Sequence, residues 1–157
     1  LFINVRQAAI PRIAEIAQAA QAMLAEVGLN VSVKIQESSI YDPEYGQKPG
    51  PDRNYITMHP IGNDFMDAAS SFQTYATCDR GTSGICDKEL DKMISEAARI
   101  TGKERTAALQ KISGYIQDNA YMGFIGHLDL AYGISERVNW DVPLDHRFIV
   151  RQMTLTD

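Results

Sequence analysis

The sequence lacks three things: a long apolar run, an excess of basic residues, and the short motifs of common catalytic sites. Its apolar stretches fall far short of the roughly 20 residues that a membrane-spanning helix requires. The formal net charge of −5 argues against a nucleic-acid partner, because phosphate binding requires a basic face. No H-E-x-x-H, G-x-S-x-G or phosphate-cradling glycine motif occurs. These absences argue against a membrane span, a nucleic-acid-binding protein and the enzymes that carry these motifs.

Cysteine is also scarce, since the chain contains only Cys78 and Cys86. They bracket the segment "CDRGTSGIC", for which three explanations compete: a metal site, a redox pair and a disulfide. A tetrahedral zinc site needs four ligands, and a redox C-x-x-C pair needs two intervening residues, whereas seven are present here. A disulfide that closes this loop would stabilise the fold by roughly 2–3 kcal/mol. We therefore predict a disulfide and an oxidising compartment, with free buried thiols or a metal site as alternatives.

What is present is the composition of a globular domain. The chain has 157 residues, of which 45% are hydrophobic and 22% charged, enough for one domain with a core. It begins at Leu1 rather than at a methionine. We therefore expect a processed chain or an excised piece of a longer protein.

The first part of the sequence has a strand–helix–strand pattern. "LFINV" predicts a short strand, and residues 10–28 predict a helix, because apolar side chains recur there at three- and four-residue spacing. Gly28 suits the carboxyl-terminal cap of that helix. Val31, Val33 and Ile35 then alternate with polar residues, which is typical of a half-buried strand. The order of these elements indicates the α/β class.

After this unit the pattern is less regular. The proline- and glycine-rich stretch 37–54 predicts a long surface loop. Residues 55–62 predict a strand that Pro60 ends, and residues 64–77 predict a helix or two short turns. Segment 78–86, between the cysteines, should be irregular.

Two further helices follow the cysteines. Asp87 is well placed as the N-cap of the first, and Thr101 with Glu104 has capping-box spacing at the start of the second. The predicted helices span 87–100 and 101–119, and the predicted strand regions span 121–134 and 147–157.

The order of several motifs resembles that of a known family. "GNDFMDA" is similar to the family motif G-x-D-Y-P-D-P, and "ICDKELDKMISEA" is similar to N-P-E-x-D-x-L-I-x-x-A. "ERTAALQKISGYIQDNAYMGFIGH" is similar to R-x-x-L-Y-x-x-x-Q-x-x-I-x-x-x-x-P-x-I-P-L. Together with the helix before "GLNVSVKI" and the cysteine-bracketed loop, they resemble the C-terminal lobe of the extracellular solute-binding proteins of ABC transporters. The resemblance is to the oligopeptide/dipeptide/nickel-binding family, family 5.

The resemblance implies a fold: an α/β lobe of the periplasmic-binding-protein type II class. Such a lobe has a mixed sheet flanked by helices and is an incomplete fragment of a two-lobe protein. Residues 1–140 would form the C-terminal lobe, and residues 141–157 the tail that returns toward the missing N-terminal lobe. The sequence departs from the family where Met66 and Ala68 replace two prolines, and at Ile61, where peptide binders often have tryptophan.

The resemblance also implies a ligand-binding turn. In peptide-binding relatives, the aspartate that matches Asp64 pairs with the ligand's α-ammonium through a charge-assisted hydrogen bond. Asn63 and Asp67 flank Asp64 as further candidate ligand contacts. The alternative role of Asp64 is to cap the helix that follows. The chain would then be a non-enzymatic module, with no cofactor or metal, that binds a peptide or a related small solute.

Partners and a compartment follow from the same resemblance. The partners would be the N-terminal lobe of the same protein and the permease subunits of an ABC importer. We expect a periplasmic or other extracytoplasmic location, with membrane association through the ABC complex. Three alternatives remain open: a nickel- or haem-type metal-chelate binder of the same superfamily, a purely structural interaction domain, and a metal-assisted hydrolase that uses His59, Asp64 and His127.

Overall fold

The computed structural model describes residues 1–47, 53–63, 65–143 and 147–156. Within these ranges, no helix has the length and apolar character needed to cross a membrane. The strands are β1 (Phe2–Arg6), β2 (Ser32–Gln36), β3 (Ile56–Met58), β4 (Val138–Asn139) and β5 (Thr154–Leu155). The helices are α1 (Ile13–Glu26), α2 (Ser38–Tyr45), α3 (Ala68–Tyr75), α4 (Lys88–Ala97) and α5 (Gly102–Asp118), with a 3-10 turn at Val150–Gln152.

The first three strands form a parallel sheet in the order β2–β1–β3. Phe2 of the central strand pairs with Ser32 on one side, and Val5 pairs with Met58 on the other. The predicted strand–helix–strand unit is confirmed, because α1 connects β1 to the adjacent parallel strand β2. The expected mixed sheet is wrong for the described residues. In them, β4 and β5 form a separate antiparallel pair, and the larger sheet is wholly parallel.

One hydrophobic core lies between α1 and this sheet. Ile3 and Val5 of β1 pack with Ile13 and Ala17 of α1, and all four side chains are buried. Asn4 lies between them in sequence, so it points to the opposite face of the strand. There its Nδ2 donates to a carboxylate oxygen of Glu44 on α2, at 3.2 Å. The two helices therefore contact the central strand through alternate residues.

Strand β2 departs from the predicted alternation. Val31, just before the strand, and Val33 within it pack into the first core. Ile35 is instead 45% exposed, and its neighbour Gln36 is buried. The apolar cluster with α1 therefore includes Val33 and does not extend to Ile35. Strand β2 is an edge of the sheet, with β1 as its neighbour on one side.

Helix α2 replaces the first half of the predicted loop. It spans Ser38–Tyr45 and includes Pro43, which lies within the segment predicted to be a loop. Tyr41 and Tyr45 lie one turn apart, stack at a centroid distance of 5.4 Å and are both buried. Their burial outweighs the low helix propensity of the segment, because helix stability in proteins comes mainly from packing. Residues 48–52 of the predicted loop lie outside the described residues.

A second hydrophobic core joins α3, α4 and α5. Leu90 and Ile94 of α4 pack against Ile112 and Ile116 of α5, and all four side chains are almost completely buried. Ala76, Ile85 and Ala97 complete this cluster. Both predicted helices after the cysteines are thus present.

Asp87 ties the start of α4 to the end of α5. Its carboxylate accepts from the backbone N–H of Glu89 at 2.8 Å, which confirms it as the N-cap. It also accepts from the hydroxyl groups of Tyr121 at 2.7 Å and Tyr115 at 2.8 Å. The Tyr121 and Tyr115 hydrogen bonds lower the pKa of Asp87. The predicted capping box on α5 is wrong, because the side chain of Thr101 makes no capping hydrogen bond.

Segment 121–134 does not form the predicted strand. No strand pairing is present there within the described chain, although β5 is found in the region predicted for a terminal strand. A strand requires a partner for its backbone groups, and sequence periodicity alone does not supply one.

The cysteine loop, Cys78–Cys86, is closed by the predicted disulfide and is irregular. It packs directly against the end of α2. A Cβ atom added at Gly81 would lie 1.9 Å from the carbonyl oxygen of Gly46, whereas one at Gly84 would meet nothing within 4 Å. Only glycine therefore allows this backbone-to-backbone approach.

We expect Gly81→Ala to lower the free energy of unfolding by about 1–3 kcal/mol, the usual cost of overpacking a tight contact. Gly84→Ala is the matched control, because it adds the same methyl group to the same loop in open space. Urea unfolding of the oxidised protein measures both. Equal stability of the two variants would contradict the close contact.

Candidate ligand-binding site

The candidate site lies at the carboxyl edge of the parallel sheet. The chain leaves β1 toward β2 on one side and later returns to β3 on the other side of β1. Ligands of open α/β sheets bind outside the carboxyl ends of the strands at such a switch point. The loop after β1, residues 7–12, and the segment after β3, residues 59–67, both begin at this edge. The described residues of the motif "GNDFMDA", 62–63 and 65–68, therefore follow a strand that ends at this edge.

These two segments carry most of the unusual backbone conformations. Positive φ angles occur at Ala8 (56°), Arg12 (60°) and Met66 (53°), and Ala120 is the only other non-glycine example among the described residues. Left-handed conformations are disfavoured for residues that carry a Cβ atom. Such strain tends to concentrate at ligand sites, where the surrounding structure holds it in place. This concentration is an independent indication of a site at this edge.

The turn after β3 is held by Asn63. Its side-chain oxygen accepts from the backbone N–H of Asp67 at 2.9 Å, and its carbonyl oxygen accepts from the N–H of Met66 at 2.9 Å. Phe65 and Met66 are exposed, at 75% and 59%, as is Ile61. Asp64, the main predicted ligand contact, lies outside the described residues. The described part of the turn thus presents apolar side chains beside a well-ordered amide.

Asp67 has structural partners on both sides. Its Oδ1 accepts from the N–H of Ala69 at 3.0 Å, which makes it the N-cap of α3. Nη2 of Arg105, on α5, donates to both carboxylate oxygens at 2.7 and 2.9 Å. The Arg105 hydrogen bond, together with the one from Ala69, lowers the pKa of Asp67. A ligand that bound Asp67 directly would have to compete with Arg105.

His59, directly after β3, lies in an aromatic stack. Its ring is 4.5 Å from that of Tyr45 between centroids and 6.0 Å from that of Tyr75. Burial lowers the pKa of His59, and the positive charge of Arg6 acts in the same direction. The Nδ1 atom is buried without a hydrogen-bond partner among the described residues. Protonation would therefore place an unpaired charge inside the stack.

The two cores meet at Arg53. Its Nη1 donates to the carbonyl oxygen of Gln47, just after α2, at 2.7 Å. It also donates to Gly81 at 2.9 Å and Ser83 at 2.7 Å, in the cysteine loop. Tyr55 packs beside the guanidinium at 5.6 Å, and its hydroxyl donates to a carbonyl oxygen of α2 at 3.0 Å. Arg53 thereby connects the segment before β3 to both sides of the molecule.

The residues of the hydrolase alternative are not seen to converge. His59 is half-buried in its stack, His127 is exposed in segment 121–134, and Asp64 lies outside the described residues. Across residues 1–47, 53–63, 65–143 and 147–156, no group of three His, Cys, Asp or Glu side chains is arranged to hold a metal ion.

The motif predicts ligand contacts at Asn63, Asp64 and Asp67, which stay predictions, and it singles out neither the loop after β1 nor Arg53. The loop after β1 was overlooked because its position depends on the strand order, which periodicity does not reveal. Arg53 was overlooked because its partners are carbonyl oxygens, which every residue has. Pro11 gives no signal for this loop, because it precedes the N-cap Arg12 and lies before the helix rather than in its first turn.

No protein-family model and no curated protein matches this sequence. Among solved structures, the chain is similar to an ABC transporter substrate-binding protein from Sinorhizobium meliloti, with a TM-score of 0.64 and 18% sequence identity. The match covers 100% of this chain and 32% of that protein's chain. The likeness shows the fold alone, an α/β architecture, and this chain spans about a third of that protein's length.

We expect the free energy of unfolding to fall as the pH drops below about 6.5, in part because of His59. The unfolded state gains a proton near that pH, whereas the folded state resists it until its lowered pKa is reached. The contribution of His59 to the free energy of unfolding is therefore fully present above about pH 6.5. It is lost as the pH falls from the pKa of the unfolded state to the lowered pKa of the folded state. His59→Gln should flatten this dependence.

Urea unfolding between about pH 8 and pH 5.5 measures the effect. His127→Gln is the matched control, because it removes an exposed histidine outside the stack. If both variants keep the wild-type dependence of stability on pH, or both lose it to the same extent, His59 is not the cause of that dependence.

Proposed function

We propose that this chain is the C-terminal lobe of the substrate-binding protein of an ABC importer. Residues 1–140 form the lobe, and residues 141–157 the tail toward an N-terminal lobe. One observation carries the proposal: the motif "GNDFMDA", residues 62–68, follows β3 at the switch-point edge, where this fold class binds ligands. The motif and the topology are independent, because one comes from local sequence and the other from strand order.

The turn suits a peptide or a related solute with a cationic group. Asp64 supplies a carboxylate for that group, through a charge-assisted hydrogen bond. The Oδ1 atom of Asn63 is used within the turn, which leaves its Nδ2 to donate to a ligand carbonyl. Exposed Phe65 and Met66 offer apolar contact to ligand side chains. Asp67 takes a positioning role, since it holds α3 and pairs with Arg105.

The mechanism is closure of two lobes around the ligand. This lobe supplies one wall of the cleft, and a bound solute that contacts both lobes shifts the population toward the closed form. The ABC permease recognises that form at the membrane. The disulfide in the cysteine loop supports an extracytoplasmic location, because disulfides persist in oxidising compartments.

Native mass spectrometry of the complete protein, purified gently from its own compartment, identifies the ligand class. A mixture of small peptide masses supports the proposal. A single metal-chelate mass favours the nickel- or haem-type alternative, with the same fold and a different occupant. Absence of any ligand, both before and after incubation with a peptide mixture, would contradict the binding role.

We expect Asp64→Ala to weaken binding of an amine-bearing ligand by about 10- to 100-fold, the loss typical of a hydrogen bond to a charged group. Asp118→Ala is the matched control, because it removes the same charge from the exposed end of α5. Titration calorimetry with the co-purified ligand gives both affinities. Equal affinities would remove Asp64 from the site and leave the fold assignment untouched.

A further inference from the structure

His59 is a half-buried titratable residue that the proposed binding role does not use. It directly follows β3, and only Pro60 separates it from the turn 61–67. Its ring stacks on that of Tyr45 from α2, at 4.5 Å between centroids, and lies 6.0 Å from that of Tyr75 on α3. A displacement of this ring would therefore move the point from which the turn starts.

The stack suits a neutral imidazole and not an imidazolium. The Nδ1 atom of His59 is buried and has no hydrogen-bond partner among the described residues. An imidazolium carries a proton on both ring nitrogens, so a charged N–H would be buried without an acceptor. Burial accordingly lowers the pKa of His59, and Arg6 acts in the same direction. Moving the protonated ring into water removes the cost of burying this charge.

The groups around the ring do not compensate the positive charge of an imidazolium. Arg6 of β1 carries a like charge, and Asp42 of α2, the nearby carboxylate, already pairs with Arg6 at 3.5 Å. The ring of Tyr45 could attract a cation, but the guanidinium of Arg53 already lies 5.7 Å from it. Tyr75 of α3 brings a phenol, a group that is uncharged in mild acid.

We propose that protonation of His59 releases its ring from the stack and loosens the start of the turn 61–67, so that the turn binds its ligand at neutral pH and releases it in mild acid. The inference rests on the proposed ligand-binding role of this turn. It adds a regulation of that role, in which the proton and the ligand oppose each other through one side chain.

The other end of the turn stays fixed while this happens. Nη2 of Arg105 donates to the carboxylate of Asp67 at 2.7 Å, and this hydrogen bond holds the pKa of Asp67 below its ordinary value. The ion pair therefore remains charged in mild acid. A turn fixed at one end loses more conformational entropy on binding than a turn fixed at both, so protonation of His59 lowers affinity.

Thermodynamic linkage sets the sign and the pH range of the effect. A ligand that binds the form with neutral His59 must lower the pKa of that histidine further when it binds. Affinity is thus fully present above the pKa of His59 in the ligand-free folded protein and falls as the pH drops below it. It levels off below the pKa of the ligand-bound protein. The range lies below about pH 6.5, the ordinary pKa of histidine.

Carbon-13 NMR of the complete protein, labelled at histidine rings and methionine methyl groups, tests the switch without any ligand. We expect the methyl signal of Met66, an exposed residue of the turn, to shift between about pH 7.5 and pH 5 with the same midpoint as the His59 ring. His59→Phe and His59→Gln cannot titrate, so both should abolish that midpoint. His127→Gln is the matched control, because it removes an exposed histidine outside the stack. Absence of the midpoint in the wild type, or its survival in both His59 variants, would overturn the proposal.

Titration calorimetry with the peptide trialanine, whose terminal charges do not change over this range, measures the effect on binding. We expect its dissociation constant to rise at least about 5-fold from pH 7.5 to pH 5 in the wild type and in His127→Gln, and less than about 2-fold in His59→Phe. Binding that is equally strong at both pH values would overturn this inference and leave the proposed function intact. A Met66 midpoint set by His59, without binding of trialanine or of the peptide mixture at either pH, would support the switch and contradict the proposed function.

Discussion

The guanidinium of Arg53 is the contact on which the arrangement of the two cores depends. The sheet core and the helical core share no buried side chain, and the cysteine loop meets the end of α2 through bare backbone at Gly46 and Gly81. Arg53 donates to carbonyl oxygens on both sides of that meeting point and lies 5.7 Å from the ring of Tyr45. These hydrogen bonds all come from Nη1, and the flat face of the guanidinium, which a lysine ammonium lacks, lies near the rings of Tyr45 and Tyr55.

The candidate site depends on the same region through His59. The stack runs from Tyr45 on α2, through His59 after β3, to Tyr75 on α3. The turn 61–67 is thus bounded by a residue held against one core and, at Asp67, by an ion pair to Arg105 on the other. Fixing a loop at both ends reduces the conformational entropy that the loop loses when a ligand binds to it. The strained backbone at Met66 is tolerated for the same reason.

The sequence was sufficient where local pattern and tertiary packing agree. The apolar stripe of α1, the N-cap at Asp87 and the pairing of two lone cysteines needed no distant information. It failed at α2, where local proline and glycine signals favour a loop but the burial of Tyr41 and Tyr45 stabilises a helix. It failed in the opposite way in segment 121–134, where the local pattern is that of a strand and the partner is not in the described chain. The carboxyl-edge position of the turn depends on strand order, which no local pattern encodes.

The turn 61–67 and segment 122–134 both expose apolar side chains, but in different arrangements. Around the turn 61–67, the exposed apolar side chains of Phe65 and Met66 lie beside the hydrogen-bonded amide of Asn63 and the strained backbone of Met66. Segment 122–134 instead carries exposed apolar side chains at alternate positions, with an interruption at Gly126. The segment is anchored at its start, where the hydroxyl of Tyr121 donates to Asp87 at the beginning of α4. Arg53, through the cysteine loop, and the stack around His59, through Tyr75 of α3, connect the sheet side of the molecule to the helical side, so the turn 61–67 begins at a residue held by both.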